Sequence, residues 1–191
     1  MSAPVSTSLR ALAWIACAFA FCVIVFGAFV RLSNAGLSCP DWPTCYGHVT
    51  WPQHTQAIER ADVAFPDRPV EAGKAWREQT HRFLAGTLGL LVLALAVGAA
   101  WRTRRRMGAV IAGMVLIAAA IPIYVSQRHG TPPVIADVTS SVIAVIGEAI
   151  LLSCAIYWRT ESWRRIVVLA LAVVSFQALL GMWTVTWLLK P

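Results

Sequence analysis

Ala11–Val30, ALAWIACAFAFCVIVFGAFV, is an uncharged stretch of twenty residues closed at each end by an arginine, Arg10 and Arg31. At about 1.5 Å per residue such a helix crosses ~30 Å of hydrocarbon, where a backbone must satisfy its own hydrogen bonds. A cleaved leader has a shorter apolar core and a small-residue cleavage site, so this run predicts a retained membrane helix. The pattern recurs outward from it. Phe83–Trp101 stops against the Arg102–Arg106 cluster, and Met107–Val125, about Val134–Trp158 and Ile166–Leu189 follow. The expected fold is all-α, a polytopic membrane helical bundle in one domain, 1–191, with about five transmembrane helices at 11–31, 82–101, 107–125, 134–158 and 166–189.

Composition agrees: 58% of residues are hydrophobic, 13% are charged and the mean hydropathy is +0.66, too apolar for a water-soluble domain. The formal net charge of +7 is unevenly placed, with Arg102, Arg104, Arg105, Arg106, Arg159, Arg164 and Arg165 in short gaps between apolar runs. That distribution sets orientation in a lipid bilayer; it is not a basic patch interleaved with aromatics, and no nucleic-acid partner is expected. The long connection 32–80 instead mixes six acids (Asp41, Glu59, Asp62, Asp67, Glu71, Glu78) with four bases (Arg60, Arg68, Lys74, Arg77). By the positive-inside rule the N-terminus is cytoplasmic, and the 32–80 loop and the last residues lie outside. Trp14, Trp101, Trp158, Trp163, Trp183 and Trp187 fall near expected helix ends, as interfacial anchors do. The outer loop carries Pro40, Pro43, Pro52, Pro66 and Pro69, which predicts irregular structure until a helix starts near Pro69-Val70-Glu71 and runs into the second span.

Chemistry-bearing residues gather at the mouth of that span, in Glu78-Gln79-Thr80-His81-Arg82. Glu78 and His81 are three apart and share a helix face, which Ala85 and Gly89 continue. Small residues below an imidazole leave room for a flat macrocycle, and a haem iron takes such a nitrogen as ligand. The same residues also suit close helix packing with His81 bonded to a neighbour. Arg31 and Arg82, at the outer ends of the first two helices, suit either the carboxylates of an amphiphilic ligand or lipid headgroups. Cys39 and Cys45 suit a structural disulfide, a redox pair or two free thiols, whereas Cys17, Cys22 and Cys154 lie in apolar runs as small hydrophobes. Their spacing is wider than C-x-x-C and nothing nearby completes a zinc site. The favoured reading is a bridge contributing about 2 kcal/mol and requiring an oxidising compartment. Asp137 and Glu148 fall on one stripe of the fourth run with Ser141, and acids inside a span, each costing about 3 kcal/mol, are functional candidates. His129 reads as a solvated loop residue.

GAFVRLSNAGLSCPDWPTCYGH (27–48), EAGKAWREQTHRFLAGTLGLL (71–91) and FQALLGMWTVTWLLKP (176–191) resemble, in order, the signatures of the first half of bacterial haem A synthase. The resemblance covers roughly residues 10–102 and 166–191. It implies an inner-membrane protein of two similar four-helix halves that oxidises a methyl group of haem O to the formyl group of haem A for cytochrome oxidase. On it, His81 resembles the histidine lining the substrate-haem pocket, an iron ligand. Glu78 resembles the glutamate implicated in catalysis, and Cys39 and Cys45 resemble the paired outer-loop cysteines. Haem O and haem A are the implied ligands, with haem O synthase and oxidase assembly proteins as partners.

Residues 103–165 match no family segment and read as two inserted helices. The family's fourth helix with its partner histidine, and the second half with its haem b site, have no counterpart in the 191 residues, so a second chain supplying histidines is a further expected partner. The competing readings are a non-catalytic haem-binding assembly protein, a truncated remnant, and a thiol-redox protein cycling Cys39 and Cys45. With the expected orientation, a reporter fused after Lys190 is active outside and silent in the cytoplasm; activity confined to the cytoplasm overturns the orientation.

Overall fold

Ser6 opens the first helix by accepting the Leu9 N–H on its hydroxyl at 3.3 Å, a side-chain cap on an otherwise orphan donor. In the computed structural model, which describes residues 5–101, 103–127, 133–158 and 162–188, that helix is α1 (Thr7–Leu32). It ends in a Schellman arrangement: Asn34 takes φ 52°, its N–H reaches the Arg31 carbonyl at 3.1 Å, and the Ala35 N–H reaches the Val30 carbonyl at 3.0 Å. Asparagine tolerates the left-handed region, so the chain leaves the membrane here with its last carbonyls satisfied. The other elements are α2 (Thr55–Ala64), α3 (Ala72–Ala100), α4 (Arg104–Gln127), α5 (Pro133–Ile156) and α6 (Ser162–Leu188). Arg102, His129, Arg159 and the last residues of the fifth apolar run lie outside the described residues.

All these elements are helices, and five of them, every one but α2, are long and apolar enough to cross a membrane. The protein is therefore a polytopic membrane helical bundle. The second apolar run is only the later part of α3, which begins in the polar segment and carries Glu78–Arg82 within one continuous helix. The outer loop is less irregular than its prolines suggest, because α2 forms inside it. This helix buries Ala61 in a cluster with Cys39, Cys45, Tyr46 and Ala75, and Asp62 accepts the Val70 N–H at 2.7 Å just before α3.

The chain divides into two compact units, each built from parts of several helices. One comprises residues 14–88 and 178–191 and holds the outer loop, α2 and the first half of α3. The other comprises residues 1–13 and 89–177 and is dominated by the α4–α5 pair. There Gly113 and Gly147 let two backbones meet. A Cβ added at Gly113 would lie 2.9 Å from the Gly147 carbonyl oxygen, and one at Gly147 would lie 2.6 Å from that of Gly113. At the basic end, Arg106 donates to the Cys154 carbonyl at 3.1 Å and the Tyr157 carbonyl at 2.8 Å, and covers the Trp158 ring. A cation thus satisfies the orphan carbonyls closing α5. Within the same unit the buried Glu148 carboxyl meets the Ser175 hydroxyl of α6 at 2.8 Å, and Asp137 and Ser140 are buried about three and two turns earlier on α5.

The glycine contact sets a prediction. Gly113→Leu or Gly147→Leu drives a side chain into backbone and lowers stability by about 1–3 kcal/mol. Gly108→Leu, where an added Cβ meets nothing within 4 Å, leaves it nearly unchanged. Thermal unfolding in detergent followed by helical circular dichroism checks the difference, and equal effects at Gly108 and Gly113 contradict it.

Candidate functional site

Leaving α1, the chain must fold Ser38–Val49 over the mouth of α3. Cys39 and Cys45 are joined in a disulfide, with their Cα atoms 4.8 Å apart. Just past that ring the backbone reverses through Tyr46 (φ 55°) and Gly47 (φ 76°), while Cys45 and His48 exchange N–H···O bonds at 2.8 and 3.1 Å. Two consecutive left-handed residues make a hairpin turn of the primed kind, which glycine accepts freely and tyrosine does not. Tyr46 is compensated from three sides. Asp41 accepts its N–H at 2.6 Å and that of Gly47 at 2.9 Å, its hydroxyl donates to the Pro69 carbonyl at 3.2 Å, and its ring meets Phe65 edge-on at 5.6 Å. Burial pushes the Tyr46 phenol up from its ordinary value. Thr44 completes the Asp41 carboxylate through its hydroxyl.

The loop is fastened by three polar residues within about one turn of α3. Glu78, only 5% exposed, accepts the Cys39 N–H at 2.8 Å and the Ser38 hydroxyl at 3.1 Å on Oε2. Its Oε1 receives Arg82 Nη2 at 2.5 Å. Arg82 Nη1 donates to the Asp41 carbonyl at 2.8 Å and the Thr44 carbonyl at 2.9 Å. Gln79 Nε2 reaches the Pro43 carbonyl at 3.3 Å and the Val49 carbonyl at 2.6 Å. A buried carboxylate is tolerable only with such company, and here the charge is met by one guanidinium and two further donors.

His81 faces elsewhere. At about 100° per residue it lies ~60° from Glu78, on the side away from Gln79 and Arg82. Its imidazole rests on α1: Nε2 sits 2.6 Å from where a Cβ on Gly27 would be. Phe26 stacks on it at 6.4 Å with 23° between planes. Phe26 in turn meets Trp76 at 6.3 Å, and Arg77 lies over Phe29 at 5.3 Å and over Trp76 at 5.9 Å. The imidazole therefore occupies an aromatic face shared by α1 and α3, made possible by one missing side chain.

Of the sequence candidates, the fold brings Glu78, Arg82, Cys39 and Cys45 into one assembly. His81 lies beside it, and Arg31 stands exposed at the end of α1 with its side chain paired to no described residue. Arg82 spends its described bonds on the loop and Glu78. Gln79, Asp41, Ser38 and Gly27 were not candidates. Asp41, within Pro-Asp-Trp-Pro, carried a turn signal; Gln79 carried only its place between Glu78 and His81. Among the described residues no group of three or more His, Cys, Asp or Glu gathers as a metal site, and His81 is the one histidine within a helix.

A family model described as "Cytochrome oxidase assembly protein" matches residues 10–125, most of the chain, running through the loop, α2, α3 and into α4. Among curated proteins the chain is similar to a heme A synthase of Shewanella oneidensis, 52% identical over 77 residues, or 40% of this chain and 23% of that protein. It is also similar to a heme A synthase of Bacillus licheniformis, 34% identical over 76 residues, or 39% of this chain and 19% of the relative. A third, from Allorhizobium ampelinum, is 31% identical over 96 residues, or 44% of this chain and 26% of the relative. The chain thus spans about a quarter of the length of the relatives it matches. No solved structure matches it.

The fastening predicts that Glu78→Ala, by stranding the Arg82 guanidinium and two loop donors, costs about 3–5 kcal/mol. It also exposes the bridge, so Cys39 and Cys45 become reducible by a mild thiol and alkylated faster than in the parent, read by mass spectrometry. Arg31→Ala leaves the alkylation rate unchanged. A bridge equally protected in Glu78→Ala contradicts the fastening.

Proposed function

Because the chain belongs to the cytochrome oxidase assembly protein family, we propose that it is a haem A synthase-type oxidoreductase module, acting on the methyl group of haem O that becomes the formyl of haem A. The observation that carries this reading is the outer mouth of α3. A clamped disulfide loop roofs the helix, and an imidazole sits just inside it against a glycine of α1. The similarity to the three heme A synthases supports it.

The residues fit a haem substrate in part. Packing of the His81 ring against Gly27 and Phe26 orients the imidazole, as the surroundings of metal-binding histidines do. Ala85, one turn further along α3, is small and half-buried. Glu78 serves this site as a positioning residue: its carboxylate holds the loop and Arg82, so the roof and the helix keep one register. Arg31, unpaired at the membrane edge, is the guanidinium left for a propionate. When bound, the haem supplies the redox chemistry; the protein holds it, orients it and excludes water. The disulfide favours placing the loop on the oxidising face of a bacterial inner membrane.

One observation favours a second reading. His81 is the one helical histidine among the described residues, so a bis-histidine site requires a ligand from elsewhere, and without it the chain is a haem-binding assembly protein that converts nothing. Purified protein supplied with haem O distinguishes them. A Soret band that is lost in His81→Ala, together with extractable haem A, is the expected result. Haem bound but never converted selects the second reading, and absence of any Soret change overturns both.

A further inference from the structure

The α4–α5 pair carries a feature that the reading above does not use. Between the first turns of α4 and the last turns of α5 lies a groove of about 620 Å³. Its floor is apolar, with Ala109 on α4 and Ile146, Ala149 and Ile150 on α5, and its rim carries Arg105, Arg106, Ser153 and Tyr157. Among the described residues no carboxylate lines it.

The two arginines differ. Arg106 is spent on the Cys154 and Tyr157 carbonyls and lies over Trp158, so it forms a fixed positive wall. Arg105 is exposed and pairs with no described residue, leaving its five donors free. It stands in the first turn of α4, which begins at Arg104, so the helix dipole adds to its positive potential. Both helices are of membrane-crossing length, and Ile146, half-exposed, faces outward from the floor toward lipid. A soluble anion would use the rim and leave the apolar floor to something else. A molecule with a phosphodiester head and a hydrocarbon tail uses both.

We propose that this groove binds one anionic phospholipid, its phosphodiester at Arg105 with the hydroxyls of Ser153 and Tyr157 beside it, and an acyl chain along Ala109, Ala149 and Ile150. The charge of the rim selects the head, and the apolar floor selects lipid over free phosphate.

Native mass spectrometry of the whole chain, purified in mild detergent and incubated with equimolar phosphatidylglycerol and phosphatidylcholine of identical acyl chains, tests this. Phosphatidylglycerol is expected to be retained at least several-fold over phosphatidylcholine. Arg105→Gln brings that ratio close to one. Ala149→Trp, filling the floor, loses both lipids, and Arg165→Gln, exposed on α6 and not among the residues lining the groove, changes neither. Equal retention of the two lipids by the parent overturns the proposal. So does an equal loss in Arg105→Gln and Arg165→Gln, which marks diffuse charge. Displacement of phosphatidylglycerol by glycerol phosphate at matched concentration overturns it in favour of a free-phosphate site.

Discussion

A carboxylate buried at the entrance to a membrane helix is the constraint around which the outer half of this protein is arranged. Glu78 cannot shed its desolvation cost to water, so it must be met by donors, and these come from the loop backbone at Cys39, from Ser38 and from Arg82. Arg82, drawn in by Glu78, has donors left over and directs them at two further loop carbonyls. Gln79 takes two more. A stretch that would otherwise wander as a proline-rich connection is thereby pinned at several backbone points to a single turn of helix. The disulfide and the Asp41-centred turn then need only shape a segment whose ends are already fixed.

That arrangement divides the labour of α3 by angle. One side of the helix mouth is occupied by the clamp, and the side carrying His81 is turned toward α1 and its aromatic residues. The carboxylate and the imidazole, neighbours by helical spacing, thus face different partners. Glu78 sets how the loop sits, and His81 sets what the helix offers to a ligand. Because the clamp fixes the rotation of α3 about its own axis, it also fixes the direction in which the imidazole is offered.

Much of this was legible in the chain itself. Charge and hydropathy are one-dimensional properties, and the apolar runs between arginines led directly to five spanning helices. The pairing of Cys39 with Cys45 and the gathering of polar residues at the helix mouth were legible for a related reason: few residues in a membrane protein are polar, and those that are stand out. What escaped depends on contacts between distant segments. The short helix α2 has an apolar stripe only about two turns long and mostly alanine, and is held by Ala61 against the disulfide and by Asp62 beneath Val70. Arg82 at a helix end reads equally as a headgroup or ligand contact, and only the folded loop reveals the carbonyls that claim it. Gly27, inside an apolar run, reads as generic packing until the imidazole is seen against it.

That glycine makes α1 a depth gauge for the imidazole. A ring hung from α3 alone would be free to rise or sink with its rotamer. Here it is caught at one level of a second helix, where the missing Cβ opens a notch and Phe26 stacks on the ring. The notch recurs at no neighbouring residue of α1, since Phe26 and Ala28 both carry side chains. Sliding α1 by one residue, about 1.5 Å along its axis, closes the notch and turns a positional shift of a helix into the eviction of a nitrogen.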